Sequence, residues 1–98
     1  MPTTVALCVQ LWPHPEQESA LIDYEDRVLD LIPVHGGRVL NRVRRIEQGD
    51  AAFETHIIEF PDEEAFQAYM NDPARLAMAT LRDAAIAETQ VSRIQRIV

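Results

Sequence analysis

Two stretches, Thr3–Trp12 and Phe53–Phe60, read as β-strands that are apolar on both faces, and nothing else constrains the fold as much. In the first, Val5, Leu7, Val9 and Leu11 point one way and Ala6, Cys8, Gln10 and Trp12 the other. In the second, Phe53, Thr55 and Ile57 alternate with His56, Ile58 and Phe60. A strand wet on one side would alternate apolar with polar. Both stretches therefore belong in the middle of a sheet, covered above and below. Pro13 and Pro15 end the first and Pro61 the second, because proline donates no ladder hydrogen bond.

The segments around them complete an α+β pattern. Glu16 to about Ile32 predicts an amphipathic helix with Leu21, Tyr24, Val28, Leu31 and Ile32 on one stripe and Asp23, Asp26 and Asp30 off it. Pro33 ends or kinks it, and Gly36-Gly37 supplies the turn. Arg38–Gln48 predicts a polar strand with Arg38, Leu40, Arg42, Arg44 and Ile46 on one face, joined by a turn at Gln48-Gly49-Asp50 to the strand ending at Phe60. Asp62 caps a second helix with Phe66, Tyr69 and Met70 inside, and Asp72-Pro73 starts a fresh helical stretch. Thr89–Val98 predicts a last polar strand.

The order is β-α-β-β-α-β, a ferredoxin-like unit: an antiparallel four-stranded sheet with helices on one face, strands one and three central. A chain of 98 residues makes one domain, 1–98. Its helices cover one sheet face only. The second apolar face predicts a homodimer through the sheet.

Composition excludes several functions. Sixteen acids against nine bases give a net charge of -7, which argues against nucleic acid and anionic membrane as partners. All nine bases are arginine, so neither a Schiff-base lysine nor a P-loop lysine is available. Cys8 is alone, which suits a reducing cytoplasm and rules out an intrachain disulfide. Val5–Val9 is too short an apolar run for a membrane span. His14, His35 and His56 show no metal-ligand spacing, and no cofactor is expected.

His35-Gly36-Gly37-Arg38-Val39-Leu40, Glu59-Phe60-Pro61 and Tyr69-Met70-Asn71-Asp72-Pro73 together resemble the dimeric α/β-barrel superfamily, most closely its small bacterial branch of unknown function. The resemblance spans nearly the whole chain and implies two ferredoxin-like sheets packed face to face. Relatives in the wider superfamily include cofactor-free antibiotic-biosynthesis monooxygenases, muconolactone isomerases, haem-binding chlorite dismutases and apparently non-enzymatic stress proteins. No catalytic motif of theirs aligns residue by residue.

Three groups of residues are candidates for chemistry. His35 beside Arg38 could move a proton while the guanidinium holds a carboxylate or enolate; its structural alternative is a helix C-terminal cap. Arg38, Arg42 and Arg44 could line an anion pocket, or could pair with Glu54 or Glu59 across the hairpin. Trp12, His14, His56, Glu59 and Tyr69 could border a cavity for a small organic ligand, or serve as core and dimer contacts. Two functional classes follow. One is a small-molecule-binding dimer without chemistry; the other is a cofactor-independent monooxygenase or isomerase with His35 or His56 as base, acting on a small aromatic, polyketide-like or lactone substrate. A histidine–acid or histidine–arginine pair converging on one cavity separates them.

Overall fold

The computed structural model describes residues 4–98, so Thr3 of the expected first strand lies outside the described residues. The elements are β1 (Val5–Pro13), α1 (Glu18–Val28), β2 (Arg38–Arg44), β3 (Glu54–Phe60), α2 (Glu63–Met70), α3 (Pro73–Leu76), α4 (Ala79–Ala85) and β4 (Ile86–Arg93). The sheet order is β2-β3-β1-β4, with every neighbouring pair antiparallel. The two doubly apolar strands are the central ones.

Local chemistry sets the boundaries. Glu16 has a left-handed φ of 66°, so α1 starts later than expected, after Gln17. Beyond Val28 the chain tightens into two 3₁₀ turns, Leu29–Leu31 and Pro33–His35, and leaves through Gly36 at φ 76°. Gly37 follows because nothing larger fits. A Cβ there would lie 2.7 Å from Ile32 Cγ2 and 2.8 Å from the Phe60 ring. The Asp62 carboxylate caps α2 by accepting from Ala65 N–H at 2.8 Å, and Asp72 caps α3 by accepting from Ala74 N–H at 2.8 Å.

Two strands depart from expectation. β4 begins at Ile86 and ends at Arg93, because it pairs with β1 from Pro13↔Ile86 to Leu7↔Arg93. β2 ends at Arg44 and carries a bulge. Arg38 faces Glu59 and Val39 faces Ile58, but the next partner of Ile57 is Asn41. One extra residue inverts the alternation. Arg42 and Arg44 therefore share the helix-side face with His56 and Glu54, whereas Arg38 shares the opposite face with Glu59.

The core lies between sheet and helices. Val5, Leu7, Leu11, Ile58 and Phe60 meet Leu21, Tyr24, Val28, Ile32 and Tyr69 there. Phe60 is 1% exposed, with the rings of Phe66 and Tyr69 each 5.5 Å from its own. Ala6, Cys8, Gln10, Trp12, Thr55, Ile57 and Glu59 alternate with the inward residues of β1 and β3, which places them on the other face, and all are half-buried. No helix among the described residues is long and apolar enough to cross a membrane.

Candidate active site in the helix–sheet cavity

A cavity of ≈ 300 Å³ lies between the sheet and the helices. β1 contributes Leu7, Val9 and Leu11 to it, and β3 contributes His56, Ile58 and Phe60. Its polar lining comes from Tyr24 and Glu25 of α1, Tyr69 of α2, Arg75 of α3, Arg82 of α4 and Thr89 of β4. Val91 lines it while 54% exposed, so the cavity reaches solvent beside the edge strand β4.

His56 is 0% exposed and is held from one side. Its Nε2 lies 2.8 Å from Glu54 Oε1, and Glu54 is itself 0% exposed. Glu54 also accepts from Arg42 Nε at 2.9 Å and Nη2 at 3.1 Å, and from Arg44 Nε at 2.9 Å and Nη2 at 2.6 Å. Burial alone would raise its carboxyl. The hydrogen bonds from His56, Arg42 and Arg44 more than offset burial and hold it at about 2. An ionised carboxylate accepts only, so Nε2 carries a proton, and in the neutral form of the ring Nδ1 then carries the lone pair. Nδ1 is buried and has no hydrogen-bond partner among the described residues. The nearest acid is Glu25, whose Oε1 lies 3.7 Å from Nδ1, beyond direct hydrogen bonding.

Burial, and then the Glu54 carboxylate, push Glu25 up to about 7, against the pull of Arg42, Arg75 and Arg82. Glu25 therefore exchanges a proton readily near neutrality. Its folded value exceeds the ordinary 4.5, so the native state binds the extra proton between the two. The fold weakens as pH rises through that window, by up to about 3 kcal/mol above it. Tyr69 is pushed up to about 12 and Tyr24 is raised, both chiefly by burial, so both phenols keep their protons at neutral pH.

The expected site residues divide sharply. His56 and Tyr69 line the cavity. Arg42 and Arg44 are not among the cavity-lining residues: Arg42 is engaged by Glu54 and by Asp26 Oδ1 at 2.6 Å, and Arg44 by Glu54. The single arginine stripe is corrected: the bulge sends Arg38 to the opposite face, where it donates to Glu59 Oε1 at 2.6 Å. The His35–Arg38 pair therefore does not form. His35 instead meets Asp72 Oδ2 at 2.7 Å, edge-on to Tyr69, and ties the corner after α1 to the α2–α3 junction. That bond, with the Ala74 backbone N–H, lowers the Asp72 carboxyl.

Trp12 and Glu59 are corrected as well. They sit on the sheet face opposite His56, and Trp12 Nε1–H donates to the Asp50 carbonyl at 2.9 Å. His14 is spent on the Asp83 carbonyl at 3.0 Å. Glu25, Glu54, Tyr24, Arg75 and Arg82 were not singled out for the site. Signals for two of them existed. Glu25 falls on the Leu21–Val28 stripe, and Glu54 lies two residues before His56 on one strand face.

Sheet order, antiparallel pairing and one-sided helices define a ferredoxin-like α+β protein. A protein of unknown function from Rhodopseudomonas palustris has this fold at TM-score 0.78 and 15% identity, over 100% of this chain and 85% of its own. So does a dimeric protein of unknown function with a ferredoxin-like fold from Bacteroides fragilis, at TM-score 0.74 and 10% identity over 98% and 100%. A dabb family protein with a ferredoxin-like fold from Mesorhizobium loti aligns at TM-score 0.66 and 14% identity over 97% and 98%. By sequence the chain belongs to the domain of unknown function family DUF1330, whose model matches residues 7–95. No curated protein matches it. Among the described residues no cluster of His, Cys, Asp or Glu could hold a metal ion.

Proposed function

We propose that the cavity binds a small organic molecule and that His56, oriented by Glu54, moves a proton on it without a cofactor. One observation carries this reading: a fully buried histidine that lines the cavity, with Nε2 tied to a carboxylate and Nδ1 without a partner among the described residues. A core histidine kept only for packing would have both nitrogens satisfied. Here one is bound and the other is free to take a proton. In the step, a C–H beside a carbonyl breaks, its electron pair passes into the enolate, and the proton goes to His56 Nδ1. Return of a proton to the same carbon gives exchange with solvent; return to another gives isomerisation. Glu25, whose Oε1 lies 3.7 Å from Nδ1, is the nearest acid to which that proton can pass.

The test is a thermal-shift screen of small lactones and ketones that carry a C–H beside the carbonyl, with each hit then followed by NMR in D₂O. Hits should incorporate deuterium at an enolisable carbon, and His56→Gln should slow this by ~10²–10⁴ while the fold persists. Hits that bind and never exchange would reduce the protein to a binding module. Exchange at full rate in His56→Gln would remove the mechanism.

We further propose that two copies pack through the uncovered sheet face. Ala6, Cys8, Trp12 and Ile57 lie there, half-buried with no helix over them, and the solved relative from Bacteroides fragilis is dimeric. Light scattering should give twice the 11.1 kDa chain mass; a stable single-chain mass would refute the dimer.

A further inference from the structure

Two buried side-chain polar atoms among the described residues lack a hydrogen-bond partner, His56 Nδ1 and Arg75 Nε, and both residues line the same cavity. One is an acceptor and the other a donor. Such orphans are rare in a folded protein, and each costs about 1–3 kcal/mol when nothing satisfies it. Their complement is a ligand that offers an acidic hydrogen to one and an acceptor oxygen to the other.

The surroundings of Arg75 sharpen this. Its guanidinium lies 5.2 Å over the Tyr69 ring and Nη1 donates to the Met70 carbonyl at 3.2 Å, so the head group is held while Nε is left without a partner. Arg82 lines the same cavity, with Nη2 3.4 Å from Thr89 Oγ1. Among the described residues, and unlike Arg42 and Arg44, neither makes an ion pair with a buried carboxylate: the acid paired with Arg82 is Asp83, 3.6 Å away and largely exposed. Among the described residues Glu25 is the acid that lines this cavity, and burial keeps much of it protonated near neutrality.

We infer that Arg75, with Arg82 beside it, seats the carboxylate of a small organic acid whose enolisable C–H is thereby presented to His56. The inference rests on the reading of His56 as proton carrier and names its substrate class, enolisable carboxylates such as 2-oxo acids. A planar guanidinium matches a carboxylate where a point charge would not.

The probes are phenylpyruvate and its uncharged methyl ester, with binding followed by calorimetry and exchange by NMR in D₂O. Phenylpyruvate should bind roughly 10–100-fold more tightly than the ester, the worth of one charge-assisted hydrogen bond. Arg75→Gln should abolish that preference by weakening the acid far more than the ester, while Arg75→Lys should keep part of it. Equal binding of acid and ester, no binding of the acid at millimolar concentration, or full acid preference in Arg75→Gln would each overturn the inference. Should Arg75→Gln fail to fold, the acid–ester comparison in the unaltered protein and in Arg75→Lys decides it. The two readings fail separately. Acid preference without any exchange supports the Arg75 seat and sinks His56 as proton carrier. Exchange of the ester, lost in His56→Gln but without acid preference, does the reverse.

Discussion

Replacing Glu54 with glutamine should destabilise the protein by about 3–5 kcal/mol, because it removes the buried anion that Arg42, Arg44 and His56 share. Glu54 accepts from Arg42, Arg44 and His56 at once. An amide offers one oxygen, and its N–H groups would face donors. Relief exists on two sides: Arg42 keeps Asp26, and the Arg44 side chain is 41% exposed and can turn to water. The loss should therefore fall near the lower end of the range. Urea denaturation checks it, and a loss below about 1 kcal/mol would mean the cluster is not a stabilising unit.

The pH dependence has a definite sign. Glu54 at about 2 in the fold lies below its ordinary 4.5, so its contribution is fully present above that value and is lost as pH falls toward 2. Glu25 works in the opposite sense at higher pH. If His56 moves a proton, Glu54→Gln should also slow exchange by ~10²-fold or more, since Nε2–H is no longer held by a charge. Glu54→Asp should recover part of the rate. A purely structural role would move stability alone.

Replacing Phe60 with alanine should cost about 3–5 kcal/mol, out of the ~5–15 kcal/mol typical of a domain. Phe60 sits where β3, α2 and the 32–37 corner meet, among Phe66, Tyr69 and the Cβ-free Gly37. Collapse into the void is limited on the Gly37 side, where backbone already touches the ring. The ring also lines the cavity, so ligand binding should weaken too. Equilibrium unfolding at neutral pH measures the first effect. A loss under about 1 kcal/mol would mean Phe60 is not part of the core.

Much of the architecture was legible in the chain. Alternation along β1 and β3, the proline stops and the aspartate caps are local signals, and they predict element order and the central pair because burial acts on periodicity directly. The boundaries that shifted did so for local reasons of a finer kind. Glu16 adopts a left-handed conformation that no propensity favours, and β4 starts at Ile86 because pairing with Pro13 begins there.

The site was legible only in fragments. His56 and Tyr69 stood out as residue types, but a histidine on an apolar face reads equally as core. Strict alternation groups Arg38 with Arg42 and Arg44, and a single inserted residue at the β2 bulge separates them. Bulges carry no strong composition signal, and one residue is enough to turn a side chain through the sheet. Trp12 and His56 looked like neighbours on central strands and lie on opposite faces.

Sequence periodicity alone therefore determined the fold class, the central strands and the existence of an uncovered apolar face, because each depends on residues close along the chain. Tertiary structure decided what the site is. Glu25 comes from α1, the Glu54–His56 pair from β3 and Arg75 from α3, and no spacing along the chain encodes the meeting of these three elements. Their protonation depends on burial and on one another through space, so it exists only once the helices close over the sheet.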